Sequence, residues 1–310
     1  MRSRDGPIWD RSAYTVARPV SGRDVCNGYD LNATECSGTA ASTREVISMT
    51  SQTNEPGSTS SRGRVVLELC IGGIDDVEIA ARNEVDRIEL NSGMAIGGLT
   101  PSYALAKSSR AVFRGPIISM IRPREGGFCY SKSEFLMMLN DAEHLLSLGI
   151  EGLATGFLTT DGQIDLDRCR RLRALFPTKQ LVFHRAFDVV ADRITAINQL
   201  IDCGFDRILA SGGAATAEQG CASLRDLIQI AGNRIEVLPG GGIRASNVAA
   251  IVRNTGCRQV HSAVREIAVD TSTGSATEVH YGLPSEANGS FGRVSESALN
   301  DLQAAISNIS

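Results

Sequence analysis

Long apolar runs are missing from this sequence: none approaches the roughly 20 residues that a bilayer-spanning helix needs. That excludes an integral helical membrane protein. Charge of one sign is missing too, since 31 basic against 35 acidic residues leave a net charge of −4. A dedicated nucleic-acid binder would show a basic face and a high pI instead. Aromatics are scarce at 5%, and the eight cysteines include no C-x2-C pair or H-x3–5-H partner. A structural zinc site is therefore not expected. Nor does the amino-terminal region carry the apolar core of about 7 to 15 residues that marks a secretory signal, so disulfides are not expected either. What is plentiful is glycine, 31 residues among 310.

Residues 1–63 read differently from the rest. Gln52 to Gly63 mixes Pro, Gly, Ser and Thr without apolar periodicity, and Met1 to Asp24 scatters Arg and Asp among isolated apolar residues. Such a stretch buries too little surface to offset its ordering entropy. It is expected to be a disordered extension, and it is the only feature that would support a partner-binding scaffold.

From Arg64 onward, short β-type runs alternate with amphipathic stretches of helical period, the pattern of βα units around a parallel sheet. The expected strands are Val65–Cys70, Arg87–Leu90, Ile117–Ile121, Gly152–Thr155, Gln180–Phe183, Arg207–Ala210, Arg234–Leu238 and Gln259–His261. The expected helices are Asp75–Asn83, Ser102–Ser109, Ser133–Leu148, Asp165–Leu175, Asp192–Cys203, Cys221–Ala231, Asn247–Thr255 and Ser295–Ile309, the last after a polar loop at Asp270–Gly292. Eight of each over residues 64–310 predict an α/β fold of the (β/α)8 TIM-barrel type. An internal echo agrees: Val85-Asp86-Arg87-Ile88 recurs as Phe205-Asp206-Arg207-Ile208. These charged residues fall at strand starts, the barrel face concerned with stability.

Chemistry belongs at the opposite ends of the strands. There the sequence offers Glu68 and Cys70, Glu89 and Asn91, Arg122, His184-Arg185 with Asp188, Ser211-Gly212-Gly213, Gly240-Gly241-Gly242, and His261-Ser262. The two late glycine clusters let backbone N–H groups cradle an anion, and helix starts follow each. Ser211, Gly212, Gly213, Gly240, Gly241 and Gly242 are the expected anion-binding residues. His184 titrates near neutrality and is the expected acid or base, with Arg185 to hold an anionic substrate and Asp188 to orient either. Glu68 and Glu89 supply a carboxylate base or pair with Arg122 and Arg185. On these residues alone the chain reads as an acid/base enzyme acting on a small anionic or phosphorylated metabolite. Cys70, at the end of the first strand, is instead placed to meet a soft ion such as Cu(I). Tyr130 and Met137-Met138 read as packing residues.

Several segments taken in order carry a family resemblance. Leu67-Glu68-Leu69-Cys70, Asp86-Arg87-Ile88-Glu89-Leu90, Gly97-Gly98-Leu99-Thr100-Pro101, Met120-Ile121-Arg122-Pro123-Arg124, Phe183-His184-Arg185-Ala186-Phe187-Asp188, Arg207-Ile208-Leu209 with Ser211-Gly212-Gly213, and Pro239-Gly240-Gly241-Gly242-Ile243-Arg244 resemble the CutC family of copper homeostasis proteins. The resemblance spans about residues 64–266. It implies a TIM barrel, a cytoplasmic location, a homodimer and Cu(I) binding by two cysteines ending strands one and two. Cys70 matches the first of these. The second position is Asn91, an amide and a poor Cu(I) ligand.

Overall fold

The computed structural model describes residues 64–275, 278–280 and 287–309. The extension expected at 1–63, and part of the loop expected at 270–292, lie outside the described residues. Eight strands form one parallel sheet: β1 (Val66–Ile71), β2 (Arg87–Leu90), β3 (Ile117–Met120), β4 (Gly152–Thr155), β5 (Gln180–Phe183), β6 (Arg207–Ala210), β7 (Glu236–Pro239) and β8 (Gln259–Ser262). Between them run α1 (Ile74–Arg82), α2 (Tyr103–Val112), α3 (Lys132–Leu146), α4 (Leu166–Leu175), α5 (Arg193–Asp202), α6 (Cys221–Ala231) and α7 (Val248–Thr255). A last helix, α8 (Glu296–Ser307), completes the ring. The strand order is β7-β6-β5-β4-β3-β2-β1-β8, and a single bridge, Gly240 to His261, joins the two end strands. The fold is a nearly closed (β/α)8 barrel.

Alternation along each strand sorts side chains into two layers. Leu67, Leu69 and Ile71 of β1 join the main apolar core between sheet and helices. A small apolar cluster of Ile118, Met120, Ala154, Val182, Leu209 and Leu238 stands apart from it. The helices start where the chain supplies caps. Before α3, Ser131 Oγ accepts the Glu134 N–H at 3.1 Å while Glu134 Oε2 accepts the Ser131 N–H at 2.6 Å, a reciprocal capping box.

The sequence echo has a structural meaning. Asp86 accepts the Leu67 N–H at 2.9 Å and Asp206 accepts the Leu181 N–H at 2.7 Å, each satisfying the start of the preceding, neighbouring strand. The arginines that follow serve the barrel as well. Arg87 Nε donates to Glu68 Oε2 at 2.5 Å, and Arg207 Nη2 donates to Gln180 Oε1 at 2.6 Å.

One stretch differs from its sequence reading. β9 (Arg265–Val269) pairs antiparallel with β10 (Ser290–Val294), so the segment after the eighth strand is a ribbon and not simply a polar loop. Its strands leave Ile267, Val269 and Phe291 exposed, which hides the strand signal behind an unusual apolar surface. The ribbon is tied to the barrel where Val294 N–H donates to Asp76 Oδ1 at 2.8 Å.

The helix-to-strand joints also share a conformation. Gly149, Gly204 and Gly256 have φ of 83°, 76° and 74°, and the matching joint before β2 places Glu84 at φ 49°. A side chain in this left-handed region costs roughly 1–2 kcal/mol, part of which glycine returns through its freer unfolded chain. Glu84→Gly is therefore expected to stabilise the protein by about 0.5–1 kcal/mol, read from the urea midpoint. An unchanged or lower midpoint would count against strain at this joint.

Candidate functional site

The interior of the barrel holds a charged network where an all-apolar filling would be simpler. Glu68 is 1% exposed and is held from two sides, by Arg87 and by His261 Nδ1 at 2.8 Å. Burial by itself pushes the Glu68 carboxyl up, but the His261 hydrogen bond and the Arg87 charge outweigh it and hold the group well below the usual carboxylate range. His261 shows the reverse balance: burial pushes it down, Glu89 and Glu68 push it up, and the net shift is upward. Its Nδ1 is committed to Glu68, so Nε2 is the free nitrogen.

Nε2 turns towards a second group of residues. Glu89 Oε2 lies 4.0 Å from it, and Cys70 Sγ donates to the same carboxyl oxygen at 3.3 Å. Ligand atoms of Cys70, Glu89 and His261 all lie within 4.8 Å of one another, and all three residues are buried. Met94 Sδ is 3.8 Å from Cys70 Sγ. Gly72 makes this approach feasible, because a Cβ there would strike Met94 Cγ at 2.6 Å. Asn91 completes the wall, donating from Nδ2 to Glu89 Oε2 at 3.0 Å and to Cys70 Sγ at 3.4 Å. Burial and the neighbouring Glu89 push the Cys70 thiol up. Burial likewise pushes Glu89 up, against the His261 charge. Two acceptors in this wall, Glu89 Oε1 and Asn91 Oδ1, are buried without a hydrogen-bond partner among the described residues. The arrangement is suited to a soft cation, with two sulfurs and an imidazole.

The other residues singled out in the sequence fall elsewhere. Arg122 is a clamp on backbone, its Nη1 donating to Ile96 O and Gly98 O at 3.1 and 3.0 Å and its Nη2 to Gly126 O at 2.8 Å. By holding this loop it positions the Met94 turn. His184 is buried and caps the short turn after β5, its Nδ1 accepting the Ala186 N–H at 3.2 Å. Burial, reinforced by the Arg122 charge, drives its pKa down to about 3. It stays neutral near pH 7. Arg185 and Asp188 pair at the rim at 2.8 Å.

Asp188 also reaches half of the expected anion cradle. Its carboxylate accepts the Ser211 N–H at 2.9 Å and the Gly213 N–H at 2.9 Å. In the β6 loop the Ser211 and Gly213 N–H groups thus already face a carboxylate of the chain itself. Gly240 lies in the seam, donating its N–H to Ala210 O at 2.9 Å. Sequence reasoning placed His261 at the end of β8 without giving it a role, which comes from its pairing beside Glu68 across β1 and β8; Met94 is the site residue that it missed. Met94 sits in a turn, where no periodicity points to it. Tyr130 and Met138 are buried in the core and Met137 is exposed. The six described cysteines are free.

Comparison with known proteins gives a consistent family signal. The CutC family model matches residues 65–266. A CutC family protein of Treponema denticola is 39% identical over 218 residues, covering 70% of this chain and 89% of that protein. A human protein named copper homeostasis protein cutC homolog is 37% identical over 209 residues, covering 67% of this chain and 77% of that protein. A crystal structure of a CutC protein from Streptococcus agalactiae superposes with a TM-score of 0.61 at 33% identity, covering 64% of this chain and 97% of that one.

The neutral His184 yields a pH signature. The unfolded imidazole takes up its proton near pH 6.5 and the folded one only near 3, so acid favours the unfolded chain. The contribution is intact above about pH 6.5 and falls by up to about 1.4 kcal/mol per pH unit below it. His184→Asn keeps an acceptor for the Ala186 N–H and removes the titration. Urea unfolding between pH 4 and 7 is expected to show a shallower loss of stability on acidification in the variant. Equal slopes, or an NMR titration of His184 near pH 6.5, would refute a buried neutral ring.

Proposed function

The chain belongs to the CutC family, and from that premise we propose that it acts in copper homeostasis by holding Cu(I) with Cys70, Met94 and His261. The observation that carries this reading is the meeting of the buried Cys70 thiol with the His261 imidazole on one side and the half-buried Met94 thioether on another. Soft sulfur donors select Cu(I) over the harder divalent ions, and imidazole suits it as well. The carboxyl of Glu89 is a poorer donor for this ion. Its place beside the Cys70 S–H lets it relay that proton to solvent when the thiol becomes a ligand. On the same reading the protein works in the cytoplasm as a homodimer; among the described residues no helix is long and apolar enough to cross a membrane.

The same chamber does not resemble an activated nucleophile. Reactive cysteines are held as thiolates by nearby positive charge, whereas burial and Glu89 keep Cys70 protonated. Glu68, a structural partner of His261, holds Nδ1 and leaves Nε2 beside Glu89 and Cys70. Coordination would displace the proton from Cys70, and tighter binding at higher pH follows from that exchange.

Anaerobic titration with Cu(I) against a competing chelator tests the proposal. The wild-type protein is expected to take up one Cu(I), Cys70→Ala to lose about 100-fold in affinity, and Met94→Leu and His261→Gln about tenfold or more each. Between pH 6 and 8 the affinity is expected to rise about tenfold per pH unit, one proton leaving per ion bound. No copper bound by the wild type, or equal binding by Cys70→Ala, would refute it.

A further inference from the structure

The open end of the barrel carries a cleft that His261 also lines. It lies at the β7–β8 seam, has a volume of about 670 Å³, and is lined by Arg185, Gly241, Gly242, Arg244, Ser246 and Arg265, among others. The barrel's other large cavity, about 690 Å³, lies at the strand starts. There the polar side chains are spent on one another, as in Arg207 to Gln180 and Gln259 to Glu236.

The seam cleft is different because its cations are unspent. Arg185 is anchored by Asp188 and by Ser211 Oγ at 2.7 Å. Arg244 and Arg265 are exposed, and among the described residues neither guanidinium makes a salt bridge or donates a hydrogen bond. The acid in the lining is Asp301, so cations outnumber acids there.

The backbone adds donors of the same kind. Gly241 and Gly242 have φ of 102° and 72°, and their carbonyls are turned away. Gly241 O accepts the Ala217 N–H at 2.9 Å and Gly242 O accepts Asn247 Nδ2 at 3.0 Å. Their N–H groups have no partner among the described residues. Asn247 Oδ1 accepts the Arg244 N–H at 2.9 Å, which fixes the loop that carries both glycines and the arginine.

We propose that this cleft is a second ligand site, adjoining the sulfur chamber at His261, that binds the phosphate monoester group of a small soluble metabolite through Arg244, Arg265 and the N–H groups of Gly241 and Gly242. Guanidinium forks and paired backbone N–H groups match the several terminal oxygens of a monoester. A monoester is close to doubly charged at neutral pH, with a second pKa of about 6, which answers two unpaired arginines better than a monoanion does. The volume lies within the roughly 300–1,000 Å³ of small-molecule sites, so there is room for the body of a metabolite beyond its phosphate. The copper reading does not enter this argument.

Calorimetric titration at fixed ionic strength with glycerol 3-phosphate, inorganic phosphate and the diester dimethyl phosphate tests it. Saturable one-to-one binding of glycerol 3-phosphate is expected, with inorganic phosphate competing and the diester at least about tenfold weaker. Arg244→Gln and Arg265→Gln alter exposed side chains and are each expected to weaken binding by about tenfold or more. Arg258→Gln, at the opposite end of the barrel, and Cys70→Ala are expected to leave it unchanged. Absence of saturable binding would overturn the proposal, as would insensitivity to both arginine substitutions, equal weakening by Arg258→Gln, or a diester that binds as tightly as the monoester. Cys70→Ala separates the two sites: lost copper with retained phosphate is the expected pattern, and failure of either ligand alone leaves the other result standing.

Discussion

The buried carboxylate of Glu68 is the constraint around which the barrel interior is organised. An isolated carboxylate in such a place would cost several kcal/mol, and its partners offset that only if they are held in good geometry. Arg87 and His261 supply that geometry from β2 and β8, on either side of β1. The network then runs on: Arg87 Nη2 donates to Gln259 Oε1 at 2.6 Å, and Gln259 Nε2 donates to Glu236 on β7. β7 and β8 share only one backbone bridge. The chain of side-chain hydrogen bonds from Glu68 to Glu236 therefore crosses the seam where the backbone ladder is thinnest. Closure of the barrel and orientation of His261 are two results of one buried charge.

That charge also divides the labour between two acids. Glu68 and Glu89 lie in neighbouring strands and are both buried, yet their surroundings push them in opposite directions. Glu68 has two cationic partners and is held ionised. Burial pushes Glu89 up with help from the Glu68 charge, and the His261 charge does not offset it. Separated pKa values in one chamber mark distinct roles: a fixed anion that orients an imidazole, and a carboxyl placed to exchange a proton with a thiol. His184 is kept neutral by burial and by Arg122's charge, its ring meeting Phe128 at 5.0 Å between centroids.

Much of the fold was legible in the sequence because its signals are local. Four-residue apolar runs between amphipathic stretches located β2, β4, β5 and β6 at their observed bounds, and glycines marked the helix stops. Legibility failed where meaning depends on which strand lies beside which. Glu68 and His261 are 193 residues apart in sequence, and only the β1–β8 register brings them together. Asp188 pairs with Arg185, but nothing local shows that its carboxylate also turns back to the Ser211 and Gly213 N–H groups. Met94 was silent for a further reason, since its approach to Cys70 depends on the space left by Gly72. The ribbon β9–β10 escaped because its exposed Ile267 and Phe291 do not follow the buried-strand pattern.

Asn91 shows how a departure from a family pattern is absorbed. Where the resemblance to the CutC family implies a second cysteine, this chain has an amide with no solvent exposure. Its Nδ2 holds both Glu89 Oε2 and Cys70 Sγ, and the backbone of Gly98 packs so close to Oδ1 that a Cβ there would come within 2.5 Å. A thiol in the same place would give up these hydrogen bonds and leave the Glu89 carboxyl less supported. The second sulfur comes instead from Met94, approached from the turn that Arg122 clamps. The amide orders the donors and the thioether supplies the softness, so the chamber keeps a sulfur-rich face with a different division of parts.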